Sequence, residues 1–131
     1  MTSAPTPSKV RLNIGVTGHR AAHKDFAANA DRIAATISDI FDQVDHAATE
    51  APLLLGPNSR APTRLLTLMV DGTDQVAAEM ALAREWELIS PLPFGARLNA
   101  AINALPTNSA DAKALLSGKS ARDAATQKRA E

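Results

Sequence analysis

Two short stretches hold the side chains best suited to chemistry, Gly18-His19-Arg20 and Asp71-Gly72-Thr73-Asp74. In the first, Gly15 and Gly18 free the backbone for a tight turn, His19 brings a titratable ring and Arg20 a fixed, forked cation. Such a group recognises phosphate or carboxylate. In the second, a helix opening at Thr73 would present unpaired amides and the positive end of its dipole, and both favour an anion. Gly72 would let the backbone come close to a ligand, and Asp74 would reach a sugar hydroxyl or cap the helix. The plainer reading makes Gly18 a chain turn, Arg20 a surface ion-pair partner and Asp74 a cap alone.

Sharper chemistries are missing from the sequence. It contains no glycine-rich loop ending in Gly-Lys-Ser/Thr, no complete dinucleotide fingerprint and no Gly-x-Ser-x-Gly elbow. Without cysteine there is no thiol nucleophile, thiolate metal site or disulfide. His19 and His23 lie four positions apart with Asp25 close behind, which would gather a metal only on a helix, and no further ligand cluster accompanies them. No metal and no cofactor are assigned. His46 reads as a surface residue and Trp86 as the edge of a core.

The elements that must position these loops follow from apolar spacing. Arg11-Leu12-Asn13-Ile14-Gly15-Val16 alternates and runs into Thr17-Gly18, the pattern of a short first strand. Over residues 29–49, Ile33, Ile37, Ile40, Phe41 and Val44 recur at steps of three and four, while Asp31, Asp39, Asp42 and Asp45 lie off that face. That predicts a helix. Pro52, Gly56, Pro57, Asn58 and Pro62 then predict a mostly irregular, mobile loop despite Leu53-Leu54-Leu55. Residues 65–70 form an apolar run expected of a second strand covered on both faces, and Thr73 or Asp74 would cap a second helix reaching Arg84. Residues 86–89 give a third strand, stopped by Pro91 and Pro93, and residues 96–105 a further helix.

The chain has 131 residues, enough for one ordinary domain, with fourteen basic and fourteen acidic side chains and a formal charge of zero. No positive field is available for a nucleic-acid backbone or an anionic membrane, so neither is expected as a partner. Exposed aromatics for base stacking are equally scarce, with only Phe26, Phe41, Phe94 and Trp86 in the chain. No apolar run reaches the roughly 18 residues of a membrane span, and the start of the chain lacks the apolar core of a signal peptide, which implies the cytoplasm. Residues 1–9 read as a disordered leader, residues 10–106 as one α/β domain, and residues 107–131 as a polar, marginally helical tail.

These residues resemble a known family. Ile14-Gly15-Val16-Thr17-Gly18-His19-Arg20, then Leu68-Met69-Val70-Asp71-Gly72-Thr73-Asp74-Gln75, then Leu88-Ile89-Ser90-Pro91-Leu92-Pro93-Phe94 look like the SLOG group of Rossmann-like domains. That group includes the Lonely Guy phosphoribohydrolases and sensors of nucleotide-derived signals. The resemblance spans residues 11–95 and implies a three-layer fold with a short parallel sheet and helices on both faces. It also implies that Gly18, His19 and Arg20 line one side of a pocket and Gly72, Thr73 and Asp74 the other. Where relatives carry Glu-Gly-Ala-Asp-Arg, this chain has Asp71-Gly72-Thr73-Asp74-Gln75, which removes a cation. The Gly-Gly-Thr loop that completes the phosphate site in relatives has no counterpart after Pro93. The fold is therefore expected to be incomplete, with a second copy or a partner domain completing the sheet.

The function expected is binding of a nucleotide or nucleotide-derived ligand by a sensor-type domain, with no catalytic residues assigned. One alternative is a nucleoside-monophosphate phosphoribohydrolase-like enzyme, with Asp74 or Glu79 assisting departure of the base. The other is a degenerate oligomerisation or interaction module.

Overall fold

The computed structural model describes residues 9–56 and 61–131. The chain divides into two compact units, Met1–Ser90 and Pro91–Glu131. Most of the predicted leader lies outside the described residues.

The first unit runs β1 (Asn13–Gly15), α1 (Lys24–Leu55), β2 (Arg64–Leu66), α2 (Thr73–Ala83) and β3 (Glu87–Ile89). Its three strands form an all-parallel open sheet in the order β1-β2-β3, with Ile14, Leu65 and Leu88 side by side. The predicted α/β class with a short parallel sheet is therefore present. Leu65 is fully buried, and together with Phe41 of α1, Ala77 and Ala81 of α2, and Trp86 it makes the core. Alanine on α2 lets the helix sit close to the strands, and Phe41 meets the Trp86 ring at 4.5 Å between centroids. Beside that core, Arg84 ties the helices together by pairing with Asp42 and Asp45 of α1, and the Trp86 indole donates to Asp45 Oδ1 at 2.7 Å.

The expectation of helices on both faces is corrected in this unit. Both α1 and α2 pack against the Ile14, Leu65 and Leu88 row. Because the strand order never reverses, successive crossovers of one hand leave both helices on the same side. Alternate residues face the other way. There, Arg64 donates to Glu87 Oε2 from Nε and Nη2 at 3.1 and 3.0 Å, Arg11 also pairs with Glu87, and Leu66 and Ile89 are exposed.

Two more expectations change. The apolar run of residues 65–70 pairs as a strand only through Leu66; Leu68 and Met69 are exposed and Met69 turns left-handed at φ 53°. Thr67 and Asp74 cause this, by capturing the chain in a turn described below. Helix α1 also starts earlier and ends later than its apolar stripe suggested, and includes Pro52 and Leu53 in its last turns. A proline four residues from the end removes only one ladder bond, and Gly56 closes the helix by donating its amide to Pro52 O at 2.9 Å. The predicted irregular loop is thus helical through Leu55, while residues 57–60 lie outside the described residues. Of the stripe itself, Phe41 is buried and Ile37 and Val44 pack on the core, whereas Ile40 is exposed.

The second unit holds α3 (Gly95–Asn103), α4 (Ser109–Leu116) and α5 (Ala124–Ala130) around a small core of Ala101, Ala104 and Leu115. The residues read as a marginal tail therefore carry two capped helices, and α3 clusters with them rather than with the sheet. Asn108 caps α4 by accepting from the Asp111 amide at 2.8 Å, and Asp123 caps α5 by accepting from the Thr126 amide at 2.8 Å. Buried Asp111 accepts from the amides of Arg122 and Asp123 and from the Asn108 side chain. Arg129 ties α5 to the end of α3, its Nε donating to Ala104 O at 2.7 Å. Among the described residues, no helix is long and apolar enough to cross a membrane.

Candidate functional site

The two predicted loops leave neighbouring strands, β1 and β2, and meet at the carboxyl side of the sheet. They are joined main chain to main chain. The Thr73 amide and hydroxyl both donate to the His19 carbonyl at 3.2 Å. A side chain on Gly72 would lie 2.5 Å from His19 O and 2.6 Å from Ala21 N, and one on Gly18 would lie 2.5 Å from the Thr73 side chain. Gly72 also has φ +98°, where L side chains are strained. The space these glycines leave is filled by the opposite loop, not held open for a ligand.

The expected capping of α2 by Thr73 or Asp74 is replaced by a different arrangement. Gly72 is the cap residue, and no side chain caps the helix. Asp74 is buried at 6% exposure and reaches back, accepting from the Thr67 hydroxyl at 2.9 Å and the Leu68 amide at 3.2 Å. The Met69 amide in turn donates to Thr67 Oγ1 at 3.3 Å. This ring of bonds fixes the turn after β2, which is why the apolar run stops pairing there. Arg20 lies 3.6 Å from Asp71 Oδ1, so the one cation of the first loop and the first acid of the second loop face each other.

A cleft of about 450 Å³ opens beside this junction, along the N-terminal half of α1. His19 and Thr73 come to it from the loops. The helix contributes an apolar wall of Phe26, Ile33 and Ile37 and a polar row of Asp25, Asn29, Arg32 and Thr36. Helix periodicity explains the layout, because steps of three and four keep the two rows adjacent along the same side. At Asn29 the backbone leaves helical geometry (φ −130°, ψ 15°), and its side-chain amide donates to Asp25 O at 2.9 Å, so the first turn is set at a kink.

Of the six residues read from the sequence, His19 and Thr73 line this cleft, while Gly18, Arg20, Gly72 and Asp74 build the junction behind it. The stripe on α1 went unread. Its signal was available as polar-apolar pairs at 25/26, 32/33 and 36/37, a second pattern offset from the core stripe. Glu79 lies outside the cleft lining and accepts from Gln75 Nε2 at 3.0 Å. His46 is exposed beside Glu50, and Trp86 is buried in the core at 5% exposure, as their positions in the sequence suggest. Comparison with protein-family models, with curated proteins and with solved structures finds no match to this chain.

Proposed function

We propose that the first unit is a binding domain for a nucleotide or nucleotide-derived small molecule, acting as a sensor rather than through chemistry of its own. The observation that carries this reading is the cleft that His19 of the loop after β1 and Thr73 at the start of α2 share with the N-terminal half of α1. Its volume falls within the range of small-molecule sites, roughly 300–1,000 Å³. Phe26, Ile33 and Ile37 offer an apolar wall for a base, Arg32 a cation for phosphate, and Asn29, Thr36 and Thr73 hydrogen-bonding groups for hydroxyls. The resemblance of the two loops to the SLOG group supports the same ligand class. The anion is assigned to Arg32 rather than to the start of α2, because the first amide of α2 is spent on His19 O and Asp74 is turned inward.

Thermal denaturation with a panel of adenine nucleotides and NAD-derived compounds tests the proposal. A ligand present at about a hundred times its Kd adds about 2.7 kcal/mol, a shift of several degrees. The wild type should show it, and Arg32→Ala should lose it while keeping the melting temperature of the free protein. No shift with any compound, or an equal shift in Arg32→Ala, sinks the assignment.

A further inference from the structure

We propose that His19, His23 and Asp25 bind one divalent transition-metal ion of the Zn²⁺ or Fe²⁺ type. Each residue offers one ligand atom, and these atoms all lie within 4.8 Å of one another. Two imidazoles and a carboxylate are a donor set suited to such ions, and three protein ligands leave coordination positions for water or an anion. Metal–ligand lengths near 2.1 Å put neighbouring ligand atoms about 3.4 Å apart in a tetrahedral site. The His23 Nδ1 to Asp25 Oδ2 separation is already 3.8 Å. All three residues are exposed, which leaves their side chains free to turn, and closure on an ion requires the two imidazoles to open from their parallel stack so that a lone pair of each points at it.

The segment achieves this without the continuous helix that the spacing of four requires. His19 sits in the loop after β1, its carbonyl fixed by Thr73, and His23 is the cap residue of α1. A turn between them, closed by the His23 amide donating to Arg20 O at 2.9 Å, folds the chain back. It lays the two imidazoles in a parallel stack, with centroids 3.9 Å apart and planes 4° from parallel. His23 Nδ1 accepts from the Asp25 amide at 3.3 Å, the long end of the hydrogen-bond range, and this lone pair is the one a metal would take. Asp25 follows in the first helical turn, beside both rings.

The proposed metal site overlaps the proposed ligand cleft, since His19 and Asp25 belong to both. Titration of the full, tag-free chain with Zn²⁺ against a chromogenic chelator, and with Co²⁺ followed by visible absorption, tests it. One ion per chain is expected. His19→Ala and His23→Asn should each weaken binding by more than about tenfold, a larger loss than an outer-shell change brings at its mildest. Asn preserves a helix-capping side chain at position 23, so loss there is not a folding effect. His46→Gln should bind as the wild type does. Binding that survives the double variant His19→Ala/His23→Asn, falls equally in His46→Gln, or is absent from the wild type overturns the site. Repeating the nucleotide melts with and without Zn²⁺ separates the two proposals, since titration alone decides the metal.

Discussion

The α/β unit and the helical unit that follows it are held together in different ways. In the first, a layer of Phe41, Leu65, Ala77, Ala81 and Trp86 excludes water, and the loops are locked by main-chain contacts through Gly18 and Gly72. In the second, the apolar core is two alanines and a leucine, and a buried carboxylate gathers the chain around itself. Apolar burial acts at any pH. A carboxylate acts only while ionised, so the second arrangement is conditional where the first is not.

Truncating the first core is the strongest way to test this contrast. Phe41→Ala should cost about 4 kcal/mol, with lost hydrogen-exchange protection in β1, β2 and β3. Gly72→Ala should cost about 3 kcal/mol, from the strain of its positive φ together with the clash against His19 O, and calorimetry of the variant measures it. Equal behaviour of Gly72→Ala and wild type would mean that the loops are not locked there.

Acid sharpens the other side of the comparison. The Arg122 amide first, then the Asn108 side chain and the Asp123 amide, hold Asp111 below the usual aspartate value of 3.8, against an opposing push from burial. Thr126 holds Asp123 low in the same way, through its hydroxyl and then its amide. Both groups favour the folded state when ionised. Their contribution is therefore complete above the unfolded value near 3.8 and is lost as pH falls through the lower folded values. Lowering the pH from about 5 to about 2 should release amide protection in α4 and α5. The smallest effect expected is that of Asn108→Ala, about 1 kcal/mol from the lost helix cap. The same change removes a bond to ionised Asp111, so the acid midpoint should move upward, measured by circular dichroism.

How far the sequence disclosed this molecule depended on whether a feature was periodic or relational. Helix α2 and strand β3 were legible within a residue or two, because alanine spacing and flanking prolines are local signals. The extent of β2 was not, since Leu68, Met69 and Val70 look like strand until Thr67 and Asp74 bond across the turn. The second unit was underread because its organiser is one aspartate, and hydropathy does not register a buried carboxylate. Both loops were singled out for a ligand, yet what meets at Gly72 is the backbone of residues 19–21, seen only once the two loops are side by side. Arg32 and Asn29 were hidden because they lie on a helix read solely for its core.

The packing of Gly18 against Thr73 bears on how this sequence can drift. The two positions, fifty-five residues apart, share one fixed volume: any atom added at 18 must be removed at 73. Substitution of Gly18 by alanine is thus expected to become tolerable only after Thr73 has become glycine, since serine would keep the Cβ and hydroxyl that clash, and the order of the two steps would matter. Position 72 has no such route, because its neighbours are main-chain atoms that no mutation can trim.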